Sequence, residues 1–188
     1  MKKGKLIVVS GPSGVGKDTV VSEYLKLHPE DVLSISMTSR PKRDYEVDGV
    51  HYYFRTKEGF EKEVAQGNLL EYALYNGNYY GTPKSEVIKR LEDGINVILV
   101  IEVQGARNIK NMLGKDALLI FVLPPSIEAL KERLLNRGTD SMEVINERLE
   151  IAEREIRENT FYDYKIINDN LDSAVKSLEN IIKNEINK

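Results

Sequence analysis

Gly11-Pro12-Ser13-Gly14-Val15-Gly16-Lys17 lies between an apolar run, Leu6-Ile7-Val8-Val9, and a segment with helical spacing of apolar residues. A continuous, β-branched-rich run bounded by glycine reads as a buried parallel strand. Residues 17–27 carry Val20, Val21, Tyr24, Leu25 and Leu27 at helical spacing, and His28-Pro29 stops the helix. Glycines between a strand and a helix let the backbone curl so that successive N–H groups point inward at phosphate oxygens. The helix N-terminus adds partial positive charge. Lys17 supplies a mobile point charge that can reach β- and γ-phosphates. The competing reading is a glycine turn that merely caps a helix. The strand before and the helix after favour the phosphate loop.

The rest of the chain extends this start into an α/β plan. Apolar runs at 96–103 and 117–123 are each followed by helical pattern, at 105–113 and 126–135. A last short strand is expected at 164–167, then a C-terminal helix from about Leu171. Strands alternating with helices imply a parallel sheet covered on both faces. Residues 34–94 break the rhythm: they are rich in Tyr, Gly and Asn and read as short antiparallel strands around one helix at 57–66. The expected architecture is therefore α/β, a P-loop NTPase-type three-layer fold with an inserted small α+β subdomain and a helical lid. The core covers about 1–33, 95–136 and 160–188, the insert about 34–94 and the lid about 137–159.

Composition narrows the function classes. A length of 188 residues suits one domain, and 41% hydrophobic with 30% charged residues allows a packed core under a solvated surface. A formal net charge of -3 disfavours a general nucleic-acid binder. With no cysteine there is no disulfide framework, thiolate zinc site or thiol nucleophile. The first apolar run is too short for a signal peptide or a membrane span, so the expectation is a cytoplasmic protein with no membrane partner.

A second basic element follows the first helix. Ser34-Ile35-Ser36-Met37-Thr38-Ser39-Arg40-Pro41-Lys42-Arg43 sets two arginines three apart around a proline. Planar guanidiniums bind a phosphate dianion bidentately, so converging arginines suit a terminal monophosphate. A localisation-type patch or ordinary solvated charge is the bland alternative; the preceding phosphate loop tips the balance.

With these stretches, Gly49 to Phe54, Leu70 to Thr82 (LEYALYNGNYYGT), Ile101 to Gly105 (IEVQG), Pro124-Pro125-Ser126, Arg133 to Thr139 and Ile167-Asn168-Asp169, the chain resembles the guanylate kinase family. That resemblance implies transfer of the γ-phosphoryl group of ATP to GMP, with Mg²⁺ as cofactor, dGMP as a further acceptor, and a monomer or homodimer. It implies ATP binding by Gly11, Pro12, Ser13, Gly14, Val15, Gly16, Lys17, Asp18, Thr19 and Asn168. Arg40, Arg43, Tyr52 and Tyr80 correspond to groups that hold the GMP phosphate, and Ser36, Glu71, Thr82 and Glu102 to those that read guanine. Guanine offers N1–H and N2–H₂ side by side, which one carboxylate such as Glu71 accepts together. Adenine has a lone pair at N1 and faces that carboxylate with like polarity. Hydrogen-bonded sites of this kind discriminate by roughly 10⁴ or more. Lys17, Arg43, Arg133, Arg137 and Arg148 correspond to the catalytic cations, some of them on a lid that clamps phosphates; on residue grounds alone the helix arginines could simply pair with neighbouring glutamates. Asn168-Asp169 could likewise be an ordinary turn.

Three positions depart from the family pattern. Asp18 stands where Ser or Thr usually follows the loop lysine, and a hydroxyl comes one residue later, at Thr19, the expected nearest group to Mg²⁺. Val100 stands where many relatives carry a second carboxylate. His51 stands where Asp is common. Two alternatives share parts of this pattern: a ribose-1,5-bisphosphate phosphokinase, against which Ser36, Glu71 and Thr82 speak, and a scaffold module without catalysis, against which the intact loop speaks.

Overall fold

The computed structural model describes residues 3–136, 138 and 141–187. Five parallel strands form the central sheet in the order β2-β7-β1-β8-β9: β1 (Leu6–Ser10), β2 (Val32–Leu33), β7 (Val97–Val100), β8 (Ala117–Leu123) and β9 (Tyr164–Ile167). Every residue of β1 is buried, as its place in the middle of the sheet requires. Its side chains alternate between two cores. Ile7 and Val9 meet α1 (Lys17–Leu27) and α7 (Leu171–Ile186) through Val20, Val21, Tyr24, Val175 and Leu178. Leu6 and Val8 face Val87 of α3 (Lys84–Glu92), Val103, Ala106 and Ile109 of α4 (Val103–Leu113), and Tyr162. Because all five strands run the same way, their carboxyl ends share one edge, and the loops leaving that edge converge.

A second sheet, β4-β3-β6-β5, is built from β3 (Met37–Thr38), β4 (Tyr53–Phe54), β5 (Leu69–Tyr75) and β6 (Asn78–Pro83). It packs on α2 (Lys57–Ala65) through Met37, Phe60 and Leu69, with Phe60 stacked on Tyr79 at 5.1 Å between centroids. Thr56 starts α2 by accepting a hydrogen bond from Gly59 N at 3.0 Å. The β5–β6 hairpin turns on Asn76-Gly77, both at positive φ (46° and 75°), the conformation a two-residue hairpin demands.

The structure changes several sequence expectations. The apolar run at 96–103 is not one strand: β7 ends at Val100 and Val103 opens α4. A short apolar run cannot by itself separate a buried strand from the first turn of a buried helix. The segment 34–94 holds two helices rather than one, α2 and α3, and Val87 of α3 packs on the parallel sheet. The strands of this segment are not all antiparallel either. Met37 and Thr38 pair in parallel with Tyr53 and Phe54. A parallel pair needs a crossover, and residues 39–52, which carry Arg40 and Arg43, make it.

Helices α5 (Ile127–Asn136) and α6 (Met142–Arg157) form a pair closed by Leu130, Leu134, Ile145, Leu149 and Ala152. Ser141 caps α6, accepting from Val144 N at 3.4 Å. Arg137, expected to be catalytic, lies outside the described residues. Among the described residues no helix is long and apolar enough to cross a membrane.

Candidate active site

The loop after β1 is held from behind. Val15 O accepts from Asn168 Nδ2 at 2.8 Å and from Arg133 Nη1 at 3.1 Å, while Arg133 Nη2 donates to Asn168 O at 2.7 Å. In a trans peptide the C=O and the following N–H point opposite ways, so fixing Val15 O turns the Gly16 N–H away from these two side chains. Gly16 caps α1 at φ 92°, and a Cβ there would lie 2.6 Å from Asn168 Nδ2, so both conformation and space require glycine. The first-turn N–H groups of α1 have no intrahelical acceptors and remain available to an anion. Arg148 of α6 donates from Nη2 to Ser13 Oγ at 2.6 Å, so the α5–α6 pair touches the loop at both Val15 and Ser13.

Lys17 is buried (6% exposed) and folds back across the loop. Its Nζ donates to Gly11 O at 3.2 Å and lies 3.6 Å from Glu102 Oε1. Asp18 and Thr19, next along α1, are both exposed. Val100, at the end of β7, packs at the margin of the α1 core and lines a shallow crevice with Asp18, Val21 and Leu33.

The residues expected to hold the acceptor fall into two groups. Glu71 and Thr82 are partners across β5 and β6, and Thr82 Oγ1 donates to Glu71 Oε1 at 2.8 Å. Both are buried. Burial pushes the Glu71 carboxyl up to about 7, against the opposing effect of the Thr82 hydrogen bond. Gly105 of α4 lets this carboxylate approach: a Cβ there would sit 2.7 Å from Glu71 Oε2. Glu102, at the N-terminus of α4, leaves Oε2 buried without a hydrogen-bond partner. Ser36 is half-buried immediately before β3, its carbonyl accepting from Tyr53 N at 2.8 Å.

The second group gathers Arg40, Tyr52 and Tyr80. Arg40 Cζ lies 5.6 Å from the Tyr52 ring centre and 5.7 Å from that of Phe54; Tyr52 and Tyr80 meet edge-on at 6.1 Å. Burial pushes the Tyr52 phenol up to about 12, helped by the negative charge of Asp18. Arg43 Nη1 donates to Tyr45 Oη at 2.9 Å in the exposed part of the crossover, and its charge joins the hydrogen bond and charge of Arg40 in lowering the Glu46 carboxyl.

Two side chains of this region were missed in the sequence. Glu155 of α6 is half-buried, and its carboxyl is pushed up to about 7, first by burial and then by the charge of Glu102. It follows Arg148 by two helical turns and so shares its face; that spacing was the available signal. Tyr75, at the end of β5, is raised to about 12 by burial, with Glu102 and Glu155 adding to it. His51, the unusual residue of the crossover, accepts from Val47 N through Nδ1 at 3.0 Å.

A parallel sheet with a glycine loop at the carboxyl end of its central strand, followed by a helix, and a second, smaller sheet inserted in the chain define a P-loop NTPase-type fold. The family model for guanylate kinase matches residues 3–185. The guanylate kinase of Carboxydothermus hydrogenoformans is 49% identical over 185 residues, covering 98% of this chain and 90% of that protein. That of Enterococcus faecalis is 48% identical, with the same coverage. The crystal structure of guanylate kinase from Anaplasma phagocytophilum superposes with a TM-score of 0.81 at 31% identity, covering 98% of this chain and 87% of that one. The chain belongs to the guanylate kinase family.

Proposed function

We propose that this chain transfers the γ-phosphoryl group of ATP to GMP, yielding ADP and GDP, in the cleft between the 11–16 loop and the second sheet. Family membership supports the reaction. The observation that carries the acceptor choice is the buried Glu71–Thr82 pair, packed against Gly105 of the helix whose first residues bring Glu102 to 3.6 Å from Lys17. A carboxylate already engaged at Oε1 by a hydroxyl and close-packed by Gly105 at Oε2 is a fixed double acceptor, suited to guanine N1–H and N2–H₂. Ser36 offers a hydroxyl for O6, while the single O–H of Thr82 is committed to Glu71 Oε1. Glu102 lies at the N-terminus of the helix that carries Gly105.

Phosphoryl transfer depends on positioning and charge neutralisation. The loop amides and the first turn of α1 cradle the donor phosphates. Lys17 exchanges Gly11 O and Glu102 for phosphate oxygens. Arg40, with Arg43 swung in from Tyr45 and the hydroxyls of Tyr52 and Tyr80, holds the acceptor phosphate. Tyr52, beside Arg40 and within reach of the Asp18 charge, is the residue near which we expect the two substrates to meet. Arg148, already on Ser13, supplies positive charge over the loop; Arg133 serves the reaction by fixing the loop through Val15. Asn168 has a role at the same carbonyl, beside the adenine end of ATP.

Mg²⁺ suits oxygen donors. Thr19 and Asp18 are oxygen-bearing and exposed on the first turn of α1. Among the described residues no cluster of three or more acidic or histidine side chains is arranged for a metal ion. We expect an ion carried chiefly by ATP oxygens and water, with Thr19 and Asp18 as the chain's own contributors. Such an ion neutralises phosphate charge during transfer.

The test is ADP release from ATP with GMP, dGMP, AMP, CMP, UMP or ribose 1,5-bisphosphate as acceptor. GMP should exceed AMP in kcat/KM by about 10⁴. Turnover of another acceptor with GMP left unconverted would overturn the reading.

A further inference from the structure

The crossover 39–52 is organised around one buried carboxylate that the phosphate contacts do not include. Glu46 is only 5% exposed, although its neighbours Tyr45 and Val47 are largely exposed. Its Oε1 accepts from Arg40 Nη2 at 2.7 Å and its Oε2 from Arg40 Nη1 at 3.0 Å, a two-pronged pair. Oε2 also accepts from the backbone N–H of Arg43 at 2.8 Å. The backbone of Glu46 closes the same loop: its N–H donates to Arg43 O at 3.0 Å, and its carbonyl accepts from Lys42 Nζ at 3.0 Å. One residue therefore fixes the side chain of Arg40 and the main chain of Arg43.

Donor arithmetic shows what this leaves Arg40. A guanidinium has five N–H donors. Two go to Glu46 and one to Pro41 O, at 2.7 Å. The Nε–H and one Nη2–H remain. The planar group is flanked by the Tyr52 and Phe54 rings and interacts with Tyr80, so the remaining edge is directed by its neighbours as well as by Glu46. A long side chain with this many constraints loses little rotamer freedom on meeting a ligand. The same carboxylate also balances the Arg40 charge while the site is empty, which permits burial of that guanidinium without an anion.

We propose that Glu46 is a positioning residue for GMP: it holds Arg40 and the Arg43 backbone in the arrangement that receives the acceptor phosphate, and acts on GMP through Arg40. This rests on the reading of Arg40 as a phosphate ligand. A purely structural glutamate predicts a general loss of stability that affects both substrates; a positioning glutamate predicts a selective effect on GMP that needs Arg40.

The experiment is a double-mutant cycle of Glu46→Gln and Arg40→Lys, with KM for GMP, KM for ATP, kcat and thermal midpoint measured for each variant. Arg40→Lys should raise KM for GMP at least tenfold; if it does not, the phosphate-site reading itself fails. Glu46→Gln should raise KM for GMP about 10- to 100-fold, the scale of one or two charge-assisted hydrogen bonds, with KM for ATP within about twofold. In the Arg40→Lys background the same change should add less than about twofold, because residues that act through one another are non-additive. Multiplying effects, or an equal rise in both KM values, would overturn the proposal while leaving Arg40 as a ligand. Glu46→Asp guards against misfolding of the glutamine variant: it keeps the charge but shortens the reach, and should fall between the parent and Glu46→Gln. A glutamine variant better than the aspartate, or one that loses thermal stability with KM for GMP unchanged, would also overturn it.

Discussion

The 11–16 loop and the 39–52 crossover, the two segments proposed to take a phosphate, are built from different materials. The first is backbone: glycines at positive φ, a helix N-terminus and one carbonyl pinned by Asn168 and Arg133. Its floor is the fully buried β1 and its shape does not wait for a ligand. The second is side chains: Arg40, Glu46, Tyr52 and Tyr80, supported by a small sheet whose own buried core is Met37, Phe60 and Leu69. The donor site is thus made by chain geometry, while the acceptor site is made by side-chain chemistry. Substitutions should affect the two in separable ways.

The largest separation is expected at Lys17→Met. Removing the loop's point charge should lower kcat by about 10³, the scale of losing a central electrostatic stabiliser, while GMP binding measured by titration stays within about twofold. A parallel loss of GMP affinity would erase the proposed division between the sites. Next comes Glu71→Gln, which should raise KM for GMP by about 10²-fold by turning a double acceptor into an acceptor and a donor. Its pH signature is more specific. The empty Glu71 carboxyl titrates at about 7 and must be ionised to accept two guanine N–H groups. KM for GMP in the parent should therefore fall as pH rises from 6 to 8, and this component should vanish in Glu71→Gln. The same shift acts on stability. Folding raises the carboxyl from 4.5, so the ligand-free fold gains stability below pH 4.5 and loses it as pH rises through 7, by about 3 kcal/mol. The thermal midpoint of the ligand-free glutamine variant should accordingly exceed that of the parent more at pH 8 than at pH 5.

A smaller effect is expected at Gly105→Ala, whose Cβ meets Glu71 Oε2 at 2.7 Å. KM for GMP should rise about tenfold, an energy of about 1.4 kcal/mol, with KM for ATP unmoved. An unchanged GMP value would mean that the Glu71 position is not set by α4. The smallest changes are expected at Asp18→Ser and Thr19→Val, a few-fold shift in the Mg²⁺ concentration for half-maximal rate, since most ion ligands fall to ATP and water. No shift in either variant would remove this chain's side chains from the ion's surroundings.

The contrast between backbone and side-chain construction also explains what could be read from residues. The 11–19 stretch is contiguous, and its flanking strand and helix announce themselves by apolar period, so loop, Lys17 and sheet plan were all legible. Glu71 and Thr82 pair across a hairpin whose Asn76-Gly77 turn is local, so they too lie within one recognisable stretch. The β3–β4 pairing was not legible: two-residue strands carry no period, and their partners are separated by a long crossover. Glu46 looks like any acidic residue in a charged loop until Arg40 is seen on both its oxygens. Glu155 looks like one glutamate among many on α6, and only its burial, with the charge of Glu102 added, sets it apart. The α3 helix was hidden because its buried face is supplied by the parallel sheet rather than by the segment's own neighbours.

The pinned carbonyl of Val15 has one more consequence. Arg133 and Asn168 come from α5 and from the end of β9, far apart in the chain, and both grip the same oxygen. If either grip were lost, that peptide plane would be freer to rotate by half a turn. The rotation would bring an oxygen where an N–H had been, and a cradle that attracts anions would present them with a negative dipole instead. One of the amides that give the loop its polarity thus owes its orientation to two side chains from distant parts of the chain.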